Sequence, residues 1–308
     1  MVEKSEKPST PPGWRPRLIA LDIDGTLLKW VSGSGTSHEV ITPRVHEAIQ
    51  RAHQEGAHIV LSSGRSPHGM TGIAEMLGVS GQDGAPLWIV ASNGAVVFRY
   101  ELGGTMEVVH EDTFDAGPAV RAILLEHPQA RVAIEDRGSG YRVSVPFPDG
   151  ELSGRMSVTA IEDLVASPVS RVIIRDPDAS ADDFVDLGAR LGLHGTDYVV
   201  GWTAWLDLTP VGVSKASGLE KVCADLGVDA TDVLAIGDGR NDIEMLHWAG
   251  RGVAMGQAVQ AVLDAADAVT DHVDVDGAAV ELERWFGAWA RARPMHPTPG
   301  PARACRWR

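Results

Sequence analysis

Two pairs of carboxylates stand where apolar strands should end. Asp22 and Asp24, in Asp22-Ile23-Asp24-Gly25-Thr26, follow the run Leu18-Ile19-Ala20-Leu21. Asp238 and Asp242, in Gly237-Asp238-Gly239-Arg240-Asn241-Asp242, follow Val233-Leu234-Ala235-Ile236. Runs of this kind read as strands buried on both faces, and the carboxyl ends of such strands are where open α/β sheets do chemistry. Gly25 frees the backbone to turn just after the second Asp. If the two strand ends meet, four carboxylates repel one another unless a hard dication sits among them. Mg²⁺ suits the set, because it takes oxygen ligands, keeps several waters and pairs with phosphate. The plainer reading of Asp238 and Asp242 is a capped turn, since Gly and Asp favour turns and Asp stabilises helix N-termini.

Two further groups could serve an anion. Ser63-Gly64, after His58-Ile59-Val60-Leu61-Ser62, offers a hydroxyl and free backbone N–H groups beside a helix start, with Arg65 adding charge. Lys215, in Gly212-Val213-Ser214-Lys215, falls in the first turn of a helix, where its charge opposes the helix dipole. That unfavourable placement points to a task at a site. The alternatives are a simple turn at Ser63-Gly64 and a solvated lysine at 215.

The elements that must position these groups alternate strand and helix. Thr42 caps a helix with Pro43 at its first position, the strand 58–62 follows, Pro67 opens a helix to Leu77, and Leu87–Ala91 is a third strand ending in Ser92-Asn93-Gly94. This alternation predicts a parallel sheet with helices on its faces. From Ala95 the texture changes. A hairpin at Val96–Tyr100 and Met106–His110, a helix near Val120–Glu126, strands near 132–134, 141–145 and 171–174, and a helix over 181–191 read as an inserted α+β module. The α/β pattern resumes with a helix over 214–226, the strand 233–236 and a helix over 241–249. The fold class expected is α/β, a Rossmann-like parallel-sheet core (17–94 and 207–292) with an inserted α+β cap (95–206). Residues 1–16 and 293–308, rich in proline, are expected to be a disordered leader and tail.

Composition narrows the partners. A chain of 308 residues with 44% hydrophobic and 22% charged residues is an ordinary globular protein with room for two moderate domains. Its net charge of −15 opposes nucleic acid and anionic membranes, so neither is expected as a partner. No apolar stretch approaches the roughly 20 residues that cross a bilayer. Cys223 and Cys305 have no metal-like spacing and imply no disulfide framework, which fits a cytoplasmic location. His46 and His53 read as surface or packing residues on one helix. Trp202 and Trp205 read as packing residues, or as a platform for a sugar. Arg142 is a candidate to reach a substrate anion from the insert.

Taken together, Asp22–Thr26, Ser63-Gly64, Lys215 and Gly237–Asp242 resemble the four motifs of the haloacid dehalogenase-like hydrolase superfamily, in order and in strand-end context. Ser92-Asn93-Gly94-Ala95, Leu206-Asp207-Leu208-Thr209-Pro210 and Val253-Ala254-Met255-Gly256 are similar to its Cof-type branch (subclass IIB), which carries a large cap between the second and third motifs. The resemblance implies a phosphatase with Asp22 as nucleophile, forming an aspartyl-phosphate, and Asp24 as general acid and base. It implies that Ser63, Gly64, Lys215 and Asn241 hold the phosphate. Mg²⁺ would be held by Asp22, Asp24 (through its backbone carbonyl), Asp238 and Asp242. Ser63 stands where Thr is more usual and keeps the hydroxyl. The loop 29–39 is longer than is typical of the branch, and Asp24 argues against dehalogenation.

The expected activity is Mg²⁺-dependent hydrolysis of a small phosphorylated metabolite, most plausibly a sugar phosphate, by a monomer or homodimer. Two rivals stand beside it. A phosphosugar mutase would use the same nucleophile and return the phosphoryl group to a sugar, and a metabolite-binding regulator would keep the fold without turnover.

Overall fold

A computed structural model describes residues 13–29, 39–136, 140–180, 183–184, 186–187, 196–200 and 205–287. Two sheets organise them. The first has eight strands: β1 (Leu18–Leu21), β2 (His58–Ser62), β3 (Leu87–Ala91), β4 (Val96–Tyr100), β5 (Met106–Glu111), β12 (Val233–Gly237), β13 (Arg251–Ala254) and β14 (Ala268–Val269). Their spatial order is β14-β13-β12-β1-β2-β3-β4-β5, parallel from β14 to β3 and antiparallel over the last two pairs. The second has six: β6 (Arg131–Asp136), β7 (Gly140–Val143), β8 (Arg155–Val158), β9 (Val172–Arg175), β10 (Thr196–Val200) and β11 (Trp205–Pro210), in the order β10-β11-β9-β6-β7-β8.

The alternation along β1 explains its place at the centre. Ile19 and Leu21 pack with Val45 and Ile49 of α1 (Pro43–Gln54), Met70 and Leu77 of α2 (Pro67–Leu77), and Leu282 of α8 (Gly277–Phe286). Leu18 and Ala20 face the other way, against Leu219 and Val222 of α5 (Lys215–Leu226) and Leu246 of α6 (Ile243–Trp248). Side chains alternate across a strand, so a strand covered by helices on both faces must be apolar throughout. The helix starts are capped as their sequences ask. Thr42 and Ser66 each accept a backbone N–H with Pro at the next position, and Ser214 forms a capping box with Ser217.

The cores of the second sheet lie on its two faces. Val132, Ile134, Ile174, Leu206 and Leu208 pack with Val120 and Ile123 of α3 (Gly117–Glu126) and Leu164 of α4 (Ile161–Leu164). Ala133, Tyr141, Val143 and Ile173 form the other face with Phe147. The helix expected over 181–191 lies largely outside the described residues.

Strand pairing redraws the expected insert. The β4–β5 hairpin pairs with β3 in the first sheet, because the chain reverses at Ser92-Asn93-Gly94 and returns antiparallel along the strand it has just left. At the far end, β11 lies between β9 and β10, so residues 207–210, expected to begin the second part of the core, belong to an interior strand of the second sheet. We therefore place the insert between 112 and 210. Among the described residues no helix is long and apolar enough to cross a membrane.

Gly94 fixes the reversal. Its φ is +101°, and a Cβ there would lie 1.9 Å from the Ser214 carbonyl oxygen. Gly94→Ala should lower stability by about 3 kcal/mol or more, from the left-handed backbone and the overlap together. Urea unfolding of the purified variant measures this, and a wild-type midpoint would contradict it.

Candidate active site

Three neighbouring parallel strands deliver the site. β1 lies between β12 and β2 with Leu21 level with both Ile236 and Leu61, so Asp22, Asp238 and Ser63 emerge side by side at the carboxyl edge. Chain order runs outward in both directions from β1 and β12, and that is the switch point at which open α/β sheets bind ligands. Asp22 N–H donates to the Ile236 carbonyl at 3.0 Å, carrying the strand contact one residue into the loop.

Lys215 organises the centre. It is the first residue of α5, is fully buried, and donates from Nζ to Asp22 Oδ1 and to Asp242 Oδ1, each at 2.6 Å. Burial alone would lower its pKa, but Asp22 and Asp242 outweigh that and hold it above the ordinary lysine value. The solvated alternative is thereby set aside. Asp242 uses its second oxygen to accept the N–H groups of Asp238 (2.9 Å) and Gly239 (2.8 Å). Asp242 thus caps its own turn, as the plainer reading expects, while its other oxygen meets Lys215. Gly237 admits the Asp242 carboxylate, since a Cβ there would lie 2.4 Å from its Cγ.

Asp22, Asp238 and Asp242 are all buried, with one carboxylate oxygen of each within 4.8 Å of the others. Burial, and then Asp242, push the Asp22 pKa well above the ordinary carboxylate range, against the opposing pull of Lys215. Three carboxylates facing one ammonium leave negative charge that a hard, oxygen-seeking dication would neutralise, so the donor set fits a divalent metal. The Asp24 side chain stands outside this trio. Its two oxygens accept Arg65 Nε at 2.8 Å and Nη2 at 2.6 Å, and Arg65 Nη1 lies 3.6 Å from Glu39. Gln257 donates to the Gly25 carbonyl at 2.5 Å and to Asp238 Oδ2 at 3.3 Å, tying the first carboxylate loop to the second.

The anion-binding candidates gather beside the trio. Ser63 is buried, with its N–H on the Val90 carbonyl and its Oγ accepting Arg65 N–H at 3.2 Å. Asn241 Nδ2 donates to Asn93 Oδ1 at 2.9 Å. A Cβ on Gly64 would lie 3.0 Å from Asn93 Oδ1 and 3.4 Å from Asn241 Nδ2, so all three meet at one point.

The sequence reading missed Gln257 and the pairing of Asn93 with Asn241, although Ser92-Asn93-Gly94 was visible as a strand end. Trp205 donates to Asp207 Oδ1 at 3.0 Å and stacks edge-on to Phe147, a packing role. Trp202 and residues 30–38 lie outside the described residues. Arg142 lies on the wall of a cleft between the two sheets and reaches the Asp163 carbonyl at 3.4 Å. His46 and His53 face the backbone carbonyls of Leu77 and Gly81.

A family model described as haloacid dehalogenase-like hydrolase matches residues 19–282, from β1 into α8, and includes every group above. The chain belongs to that family. Within this haloacid dehalogenase-like family its place is the Cof-type branch. Over 266 residues it is 33% identical to a phosphoglycolate phosphatase of Natronomonas pharaonis, covering 86% of this chain and 96% of that protein. It is 28% identical over 287 residues to the 5-amino-6-(5-phospho-D-ribitylamino)uracil phosphatase YitU of Bacillus subtilis, covering 88% of this chain and 98% of the relative. The solved structure of the subclass IIB sugar phosphatase BT4131 superposes with a TM-score of 0.71 at 22% identity, covering 87% of this chain and 98% of that one, a likeness of fold.

Lys215→Met removes the cation from among the haloacid dehalogenase-like carboxylates. At pH 8 without metal it should cost about 3–5 kcal/mol, because it strands buried charge. Since the folded-state pKa of Asp22 is raised, the uncompensated charge is relieved as pH falls through that pKa. The deficit in chemical denaturation should therefore shrink at pH 5, and a pH-independent deficit would contradict this account.

Proposed function

We propose that this haloacid dehalogenase-like phosphatase is a Mg²⁺-dependent phosphomonoester hydrolase that works through an aspartyl-phosphate on Asp22. The observation that carries the reading is the buried Lys215 shared by Asp22 and Asp242, at a trio whose remaining charge calls for a dication. Asp22, Asp238 and Asp242, with the Asp24 backbone carbonyl, would hold the Mg²⁺. When bound, the ion offsets the repulsion between a carboxylate and a phosphate dianion.

The chain's own groups supply the rest. An Asp22 oxygen attacks phosphorus while the ester P–O bond breaks, and Asp24 gives its proton to the leaving oxygen. Asp24 then takes a proton from a water that attacks the same phosphorus, releasing phosphate and restoring the Asp22 carboxylate. Lys215, Ser63, the Gly64 N–H and Asn241 hold the phosphoryl oxygens, which is where phosphoryl transfer gains most of its rate. Asp24 must leave the Arg65 fork before it can carry a proton, so substrate entry and the parting of that pair belong to one event.

The substrate we propose is a small phosphorylated metabolite of the sugar-phosphate class, handled in the cytoplasm. The cleft between the sheets has a volume of about 290 Å³, and its wall mixes polar groups that include Ser66, His68, Asp136 and Arg142 with apolar ones such as Val96, Met106 and Val108. That size and mixed wall suit a short carbon chain that carries a few oxygens. The relatives named for phosphoglycolate and for a phosphoribityl compound fit the same description.

Phosphate release across sugar phosphates, nucleotides and cofactor phosphates, with and without Mg²⁺, tests the reading. Release that needs the metal and disappears in a folded Asp22→Asn variant is expected. Residual turnover in that variant would overturn the nucleophile assignment. A bisphosphate requirement with little free phosphate would mean a mutase, and ligand binding without release a regulator. A second measurement concerns the metal alone. Because the Asp22 carboxyl is held above the ordinary range, binding competes with its proton, so Mg²⁺ should raise the melting temperature more at pH 8 than at pH 6, by about 5 °C or more at a hundredfold excess over Kd. An equal rise at both pH values would count against this metal site.

A further inference from the structure

Ser92, Asn93 and Gly94 have φ values of +52°, +53° and +101°, three consecutive residues in left-handed backbone. Such conformations cost free energy for residues with side chains and persist only where the surroundings over-determine them. Here the surroundings are the phosphate-binding loops. Ser92 N–H donates to the Arg65 carbonyl at 2.9 Å, and Asn93 N–H to the Ser63 carbonyl at 3.1 Å.

The side chains of the same turn reach across to the second sheet. Ser92 Oγ donates to Glu135 Oε2 at 2.6 Å. Glu135 accepts Arg171 Nη1 at 3.0 Å through its other oxygen, and Arg171 Nη2 meets both oxygens of Asp207 at 2.8 and 2.9 Å. Asp207 Oδ2 accepts Asn93 Nδ2 at 3.3 Å, closing a ring that returns to the turn. The side chains of Arg171 and Glu135 are each 6% exposed. Burial pushes the Glu135 carboxyl up against the pull of Arg171. For Arg171 the two acids outweigh burial and hold the guanidinium above its ordinary value.

Nothing in the proposed chemistry uses this ring, and buried ion sets of this kind are poor sources of stability compared with apolar packing. Its geometry reaches Asn241 through the Asn93 carboxamide. With Nδ2 held by Asp207, Oδ1 is the atom presented to Asn241 Nδ2 at 2.9 Å.

We propose that Glu135, Arg171 and Asp207 are positioning residues that set the orientation of Asn241, through Asn93, for phosphate binding. The second sheet thereby reports its position to the phosphate site by an oriented amide. The proposal rests on the phosphatase reading, because it needs Asn241 to face a phosphoryl group.

Asn93→Gly tests it most directly, since Gly keeps the left-handed backbone and deletes only the carboxamide. Removing Arg171, alone or with one acid, would strand a buried charge, so the second variant replaces all three together, Glu135→Gln with Arg171→Met and Asp207→Leu. Both are compared with Asn241→Ala for KM and kcat on the best sugar phosphate and for Ki of inorganic phosphate with Mg²⁺. Each is expected to raise Ki by about tenfold, the loss of one well-placed hydrogen bond to a charged group. Neither should worsen Ki further when combined with Asn241→Ala. Additive losses in the combined variants, or an unchanged Ki in either one, would overturn the coupling while leaving the phosphatase reading intact. A wild-type protein that neither turns over nor binds phosphate would overturn both.

Discussion

One buried ammonium holds the site together. Lys215 donates to a carboxylate from β1 and another from the loop after β12. Burial pushes the Asp22 carboxyl above the ordinary range, and Lys215 pulls against that rise. The placement works against local preference, since a cation at the first residue of a helix opposes the dipole. The tertiary gain of two short ionic hydrogen bonds outweighs that local cost, and the helix start becomes a fixed point from which the charges on both loops are measured.

Around that fixed point the loops are joined mainly by hydrogen bonds to backbone. Asp242 caps its own loop, Gln257 spans from Gly25 to Asp238, and the turn after β3 hangs on the carbonyls of Ser63 and Arg65. Such contacts leave the side chains of Ser63 and Asn241 beside the carboxylates. Arg65 adds a different element, a bidentate grip on Asp24 in a part-buried setting. Asp24 pairs with Arg65 and Asp22 with Lys215, so the two carboxylates of the first motif do not compete for one partner.

Much of this was legible in the sequence because it is written locally. β1 and β12 are apolar on both faces, their ends carry Asp and Gly, and the caps at Thr42, Ser66 and Ser214 precede Pro or a hydroxyl partner. The hairpin is legible as a hairpin, but its pairing with β3 in the first sheet is not, because alternation reports burial and says nothing of which strand is the neighbour. The Glu135–Arg171–Asp207 ring was invisible for a related reason. Glu135 lies on β6, Asp207 on β11 and Arg171 just ahead of β9, each in an unremarkable local pattern, and only β-sheet register brings them together. One signal was present, however: Asp207 sits between the inward-facing Leu206 and Leu208, an acid in a strand whose other face is also covered.

The order of the strands has a consequence for synthesis. β1 is made first, yet its partner on one side, β12, begins at Val233, and Asp22 meets Lys215 across 193 residues. At about 5–20 residues per second a ribosome needs on the order of ten seconds or more to supply that stretch. Throughout that interval β1, buried along its whole length in the finished fold, has one unpaired edge. The emerging chain is therefore a natural client for factors that shield exposed β-edges, and Asp22, Lys215 and Asp242 come together only once residue 242 has been made.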